Sequence, residues 1–274
     1  MILDEIITDR REQLLRDKKK VTPEEIRRRA EAVLKQSAKG EKAFYRVLAK
    51  QGLSIIGECK NASPSLGDIT SRISLADRIA AYNQSVDAIS CLTEERHFKG
   101  NAQYFRKIRK STALPMLRKD FMIEEYQFYE ARAMQADAVL LIAAILDDTQ
   151  LRDFYQLAGE LKLDVLMEVH DEKELERALK LDADIIGINN RNLKDFTISL
   201  EQTRRLSIMI PADKVLVAES GIVSDEDTAY LAECRVDAFL VGRALMEHDN
   251  PKELAARWKH IFAVRRGQGY GGKD

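Results

Sequence analysis

Eight short runs rich in Val, Ile and Leu recur along this chain of 274 residues: "LSIIGEC" (53–59), "DAISCLTE" (87–94), "LPMLRKDF" (114–121), "DAVLLIAA" (137–144), "LDVLMEV" (163–169), "ADIIGINN" (183–190), "KVLVAESG" (214–221) and "DAFLVGRA" (237–244). Runs this short and this apolar suit parallel strands covered on both faces, and each intervening segment has room for one helix and two turns. Several open alike, as Val86-Asp87-Ala88, Ala136-Asp137-Ala138, Ala183-Asp184-Ile185 and Val236-Asp237-Ala238. Eight such units close most naturally into an α/β fold of the (β/α)8 TIM-barrel type, with a doubly wound open sheet as the alternative. Barrels of this length form one domain, so the chain is expected to divide into an N-terminal helical extension (1–50), the barrel (51–265) and a flexible tail (266–274).

The extension lies outside the repeat. Leu3, Ile6, Ile7, Leu14 and Leu15 mark one amphipathic helix, and Thr22-Pro23-Glu24-Glu25 reads as the N-cap and first turn of another. Two placements are open: the extension covers the bottom of the barrel, or it overhangs the mouth. The tail "GQGYGGKD" places Gly267, Gly269 and Gly272 in dinucleotide-fingerprint spacing, but no strand precedes it and no helix can follow, so a flexible terminus is expected.

With 44 basic and 45 acidic residues intermixed, the chain carries no electrostatic footprint for nucleic acid or an anionic membrane, which leaves small-molecule chemistry. Cys59, Cys91 and Cys234 are far apart and odd in number, against a disulfide framework and for a reducing compartment. His97, His170, His248 and His260 have no metal-ligand spacing and read as structural or surface residues. Charge from Asp4 onward leads us to expect no signal peptide, and no apolar run approaches the roughly 20 residues that cross a bilayer, so a soluble cytoplasmic protein is expected.

In a barrel the C-terminal ends of the strands carry the chemistry. Here they carry Glu58 and Lys60, Thr93 and Glu94, Lys119, Glu168, Asn189 and Arg191, Glu219 and Ser220, and Gly242. Strand alternation sends Glu58 and Lys60 to the mouth and Cys59 to the helices. One charge at a strand end is commonly solvated rim or an ion pair; several on one mouth point to a site. Ser220-Gly221 and Gly242-Arg243 follow the last two strands, where barrel loops often hold phosphate through backbone N–H groups.

The ordered series "ILDEIITDRREQL", "ECKNASPSLGDI", "LTEERHFKG", "LRKDFMIEEYQ", "MEVHDEKELERAL", "IGINNRNLKDF", "AESGI" and "FLVGRALM" closely resembles the indole-3-glycerol phosphate synthases over nearly the whole chain. The resemblance implies decarboxylating ring closure of 1-(2-carboxyphenylamino)-1-deoxyribulose 5-phosphate to indole-3-glycerol phosphate, with no cofactor and no metal. By position it assigns Lys119 as general acid, and Lys60 to the substrate carboxylate and to a proton transfer of its own. Glu168 becomes the base that assists dehydration, while Glu58 and Asn189 orient the lysines and sugar hydroxyls. Arg191, Ser63 and Glu219 assist around the substrate. Pro64, Phe98, Phe121, Leu140, Ile142 and Leu193 supply the aromatic pocket, and Ser220, Gly221, Gly242 and Arg243 the phosphate site. A lysine acid at neutral pH is expected to have its proton affinity lowered by burial or neighbouring cations. The sequence departs from the family at Arg243, where a small or acidic residue is more familiar, at Ala244, where Ser precedes Leu-Met, and at Asn61, where a basic residue is usual. A monomer or weak homodimer is expected. Two alternatives stay open, a phosphoribosylanthranilate isomerase-like barrel, which needs a catalytic thiol at the end of the first strand, and a non-catalytic phosphosugar-binding barrel.

Overall fold

The structure, a computed structural model, describes residues 2–36, 42–63, 67–68, 73–193 and 195–270. Three helices come first, α1 (Ile2–Lys20), α2 (Pro23–Gln36) and α3 (Ala43–Leu48). The eight apolar runs form β1 (Ser54–Cys59), β4 (Ala88–Leu92), β5 (Met116–Lys119), β6 (Ala138–Ile142), β7 (Asp164–Val169), β8 (Ile185–Asn189), β9 (Val215–Glu219) and β10 (Ala238–Val241). A short antiparallel pair, β2 (Ala62–Ser63) and β3 (Gly67–Asp68), sits in the loop after β1. Between the barrel strands run α4 (Leu75–Tyr82), α5 (Ala102–Arg109), α6 (Glu125–Ala133), α7 (Asp148–Glu160), α8 (Glu172–Lys180), α9 (Glu201–Ser207) and α10 (Asp225–Ala232), and α11 (Arg243–Glu247) and α12 (Pro251–Tyr270) follow β10. Every barrel pairing is parallel, and β1 bonds to both β4 and β10, which closes the barrel and removes the open-sheet alternative.

Alternation divides each strand's side chains between two cores. Ile56, Leu117, Leu140, Leu166, Val217 and Leu240 fill the inside, whereas Ile55, Cys59, Cys91, Val139, Met167 and Phe239 pack outward against the helices together with Trp258. The recurring aspartates at strand starts have a definite task. Asp87, Asp137 and Asp237 each accept a backbone N–H from the first or second residue of a neighbouring strand, from Ile55, Met116 and Leu216, at 2.8–2.9 Å. A strand starting at a barrel's rim leaves that donor without a ladder partner, and the carboxylate supplies one.

Both placements considered for the extension occur, on different helices. Phe44 and Leu48 of α3 plug the bottom, where the N–H groups of Phe44 and Tyr45 bond to Asp164 at 2.9 and 3.0 Å. Helix α2 lies against α6, with Ile26 on Tyr126. Helix α1 crosses the mouth, held by Arg10, whose guanidinium grips both oxygens of Asp120 at 2.8 and 2.7 Å. Asp120 also accepts from Thr93 at 2.7 Å and Arg118 at 2.9 Å, so this buried carboxylate is fully partnered and ties α1 to the end of β5.

The C-terminus differs from expectation. Helix α12 continues to Tyr270, taking Gly267 and Gly269 into helix, where a flexible tail from 266 is predicted. Arg266 explains the extension: it lies over the Phe262 ring at 4.8 Å and donates to the carbonyl of Val236 at 2.7 Å, docking the last turns on the barrel. Residues 271–274, including Gly272, lie outside the described residues.

Candidate active site

The strand ends and α1 enclose a cavity of about 370 Å3. Glu58, Lys60, Phe98, Lys119, Phe121, Leu140, Ile142, Glu168, Asn189, Arg191, Leu193, Glu219, Ser220, Gly221, Gly242 and Arg243 all line it. Of the residues singled out in the sequence, Ser63 is placed by its backbone in β2, and Pro64 lies outside the described residues. Ile2, Leu3 and Ile6 of α1 add a wall that the sequence left undecided. One side of the cavity is apolar, with the Phe98 and Phe121 rings 6.1 Å apart and tilted by 40°. The other is charged.

On the charged side Lys119 bridges two carboxylates, Glu219 at 2.8 Å and Glu168 at 3.3 Å. Lys60 is ion-paired with Glu58, and Asn189 donates to Glu168 Oε1 at 3.1 Å. Asn189 in turn accepts the backbone N–H of Arg191 at 3.1 Å, which fixes the turn after β8. Asn190 is structural: its amide bonds to the carbonyls of Glu219 and Ser220 at 3.0 and 3.1 Å, joining that turn to the end of β9.

The unequal company of the two carboxylates sets their proton affinities. Burial opposes the charge on Glu168, but Lys119, His170 and Asn189 together hold its carboxyl well below the usual range. Glu219 has Lys119 alone, and its Oε1 is buried with no hydrogen-bond partner among the described residues. Burial therefore dominates there, and its carboxyl is pushed up, with Lys119 opposing. Two neighbouring carboxylates shifted in opposite directions are a common way to place an acid and a base side by side. Lys119 departs from expectation. Burial disfavours its ammonium, yet Glu219, Glu168 and Glu58 outweigh that, and its proton is held more tightly than that of an ordinary lysine, not less.

Ser220 and Gly221, with φ of 64° and 80°, turn the chain sharply at the end of β9. Glycine is required at 221, because a Cβ there would lie 2.5 Å from Ile198 Cγ2. Gly242 is the residue before α11, and a Cβ on it would meet Glu58 Oε1 at 2.5 Å and Lys60 Nζ at 3.0 Å. The Arg243 side chain is exposed and paired with Glu247 at 3.0 Å.

Cys59 faces the outer core, fully buried, and burial pushes its thiol up to about 12. The thiol that an isomerase-like barrel needs at the mouth is therefore turned away from it. His97 is structural, as expected, whereas His170 stands at the site. His97 lies 2.7 Å from Asp9 and ties α1 to the loop after β4; it also approaches Glu5, but Arg96 already pairs with Asp9. His170 stands directly behind Glu168, and its only sequence signal is the four-residue spacing to Glu174.

A protein-family model described as indole-3-glycerol phosphate synthase matches residues 3–257. Among curated relatives, an "Indole-3-glycerol phosphate synthase" of Lachnospira eligens is 49% identical over 271 residues, covering 97% of this chain and 100% of the relative. One of Caldanaerobacter subterraneus is 46% identical over 250 residues, covering 91% and 94%. Among solved structures, N-(5'-phosphoribosyl)anthranilate isomerase from Pyrococcus furiosus matches with a TM-score of 0.55, covering 77% of this chain and 99% of that one. At 13% identity that likeness is one of fold alone. Closed barrel, charged mouth, a family match over residues 3–257 and near-complete coverage of relatives at this identity agree, and the chain belongs to the indole-3-glycerol phosphate synthase family.

Proposed function

We propose that this chain is a carboxy-lyase of tryptophan biosynthesis. It closes the ring of 1-(2-carboxyphenylamino)-1-deoxyribulose 5-phosphate to give indole-3-glycerol phosphate, CO2 and water. The observation that carries the reading is the convergence of Lys60, Lys119, Glu58, Glu168 and Glu219 on one cavity whose opposite wall is apolar and aromatic.

The chemistry needs this pairing of walls. The aryl ring packs against Phe98, Phe121, Leu140, Ile142 and Leu193, and Lys60, held by Glu58, contacts its carboxylate. As the carboxylate-bearing ring carbon attacks the ketone carbon, Lys119 donates a proton to the ketone oxygen. The carbon–carboxylate bond then breaks, its electron pair returns to the ring, and CO2 leaves. The new hydroxyl takes a second proton, from the Lys60 ammonium released by the departing CO2, and leaves as water, while Glu168 accepts the proton from the adjacent ring carbon and aromatises the product. Counted together, one proton is consumed for each CO2 and water released. A proton held as tightly as that on Lys119 favours donation only once negative charge builds on the oxygen, which is where differential stabilisation accelerates a step. Backbone N–H groups of Ser220, Gly221, Gly242 and Arg243 hold the phosphate, and Asn189, Arg191 and Ser63 orient the sugar.

The same reading places the protein in the cytoplasm. Its three cysteines are free, and among the described residues no helix is long and apolar enough to cross a membrane. One chain supplies every group named, which suits a monomer or weak homodimer. Adding the carboxyphenylamino-deoxyribulose phosphate to the purified protein tests the reading: indole fluorescence should rise, and folded protein that gives no rise refutes it.

A further inference from the structure

Behind the cavity wall, His170 links two carboxylates. Its Nδ1 lies 3.0 Å from Glu174 Oε2 and its Nε2 lies 3.3 Å from Glu168 Oε1. Glu174 is itself fixed, because the same oxygen takes the backbone N–H of His170 at 2.8 Å and its own N–H bonds to Asp171 at 2.9 Å. The amide of Gln202 in α9 reaches the carbonyl of His170 and pins the segment from the other side. The imidazole is largely buried and does not line the cavity, so it acts on substrate only through Glu168.

A neutral imidazole has one donor and one acceptor nitrogen, yet here both nitrogens face carboxylate oxygens. The protonated ring satisfies both contacts, and only Nδ1 forms an in-line hydrogen bond; Nε2 is buried and contacts Glu168 by charge alone. The groups facing this pair from other elements are Lys119 on β5, Asn189 on β8 and Glu219 on β9. Lys119 is the nearest other cation, and in the proposed reaction it must turn from Glu168 to the substrate oxygen. When it does, Glu168 loses one of its two cationic neighbours at the moment it must stay ionised and ready to accept a proton.

We propose that His170 is a positioning residue of the reaction, an imidazolium braced by Glu174 that keeps the Glu168 carboxylate aimed at the mouth and ionised while Lys119 is engaged with substrate. The inference rests on the reading of Glu168 as the proton acceptor. Burial opposes the charge on His170, but Glu168 and Glu174 outweigh it and push its proton affinity up to about 10, so the ring stays charged across the working range of pH.

The test is the pH profile of kcat for His170→Asn beside the parent and Glu168→Gln. Losing the imidazolium should leave KM nearly unchanged and lower kcat roughly tenfold, the scale on which an outer partner of a functional group acts. It should also move the acid limb of the kcat profile upward by about one unit, because Glu168 then holds a proton more readily. Glu174→Gln, which keeps the ring but removes its brace, should move the limb the same way by less; it carries the test if His170→Asn does not fold. An unmoved acid limb in whichever of these variants folds overturns the inference, even if its Tm falls. If Glu168→Gln keeps near-normal turnover, the reading of Glu168 as base fails instead, and the two failures are distinct.

Discussion

Gly187 in β8 pairs with Glu168 on one side and Val217 on the other, and its missing side chain is what leaves room for the Glu219 carboxylate. A Cβ at 187 would come under 3.0 Å from Glu219 Oε1, a separation real Cβ atoms do not show, and 3.1 Å from Leu166 Cδ1. To restore van der Waals separation the carboxylate has to retreat by roughly 1 Å. Its retreat is opposed by full burial and by the 2.8 Å contact with Lys119. Gly187→Ala should therefore destabilise the fold by about 1–3 kcal/mol, as overpacking in a filled core does, which in a chain of this size lowers Tm by about 2–5 °C. Because the shift drags Lys119 from its place, kcat should fall by about 10²-fold, the cost of an ångström's misplacement among reacting groups. Gly159→Ala in α7 is the control: a Cβ there meets nothing within 4 Å, so Tm should rise slightly and turnover stay unchanged. Calorimetry and the indole-fluorescence assay read both. If Gly187→Ala unfolds and turns over with the parent, the carboxylate is free to move and the account of a tightly set Lys119–Glu219 pair is wrong.

Lys119→Met should abolish turnover while substrate affinity stays within about tenfold, since an acid is felt chiefly in the transition state; near-normal kcat in that variant would remove Lys119 from its role. Cys59→Ser should keep most activity, and substrate should give the parent no protection of Cys59 against iodoacetamide, because the thiol faces the outer core. Arg243→Ser should raise KM by about tenfold or less with kcat unchanged, as expected for one exposed charge already shared with Glu247. Gly242→Val should be worse, since its side chain would strike the Glu58–Lys60 pair as well as crowd the phosphate; the reverse order would mean that the arginine side chain grips the phosphate.

The strands were legible because both of their faces are buried, which leaves an unbroken apolar run that no helix boundary blurs. Period-two alternation was equally readable, and it separated Glu58 and Lys60 from Cys59 without any structure. Helix α1 was only half legible. Its stripe of Leu3, Ile6 and Leu14 announces a buried face, but the contact that chooses the mouth over the bottom is Arg10 with Asp120, at a separation of 110 residues. The role of His170 is illegible for a similar reason: its partners are two residues before it on a strand and four after it on a helix, and only the angle between those elements brings all three together. The sequence named the three carboxylates around Lys119, but the sign of its shift depends on their distances. In the tail, glycines suggested freedom, and a single arginine reaching back to the barrel overrode it.

The Arg10–Asp120 tie also bears on the order in which the molecule comes together. During synthesis at about 5–20 residues per second, α1 precedes its partner by roughly 5–20 s. Through that interval the helix has no roof to complete, and Ile2, Leu3 and Ile6 face water. Its acidic residues Asp4 and Glu5 in the first turn and Lys18, Lys19 and Lys20 in the last favour helix at both ends before any tertiary contact exists. Helix α1 is thus made well before the residue that fixes it over the mouth, and its apolar face has to wait for β5.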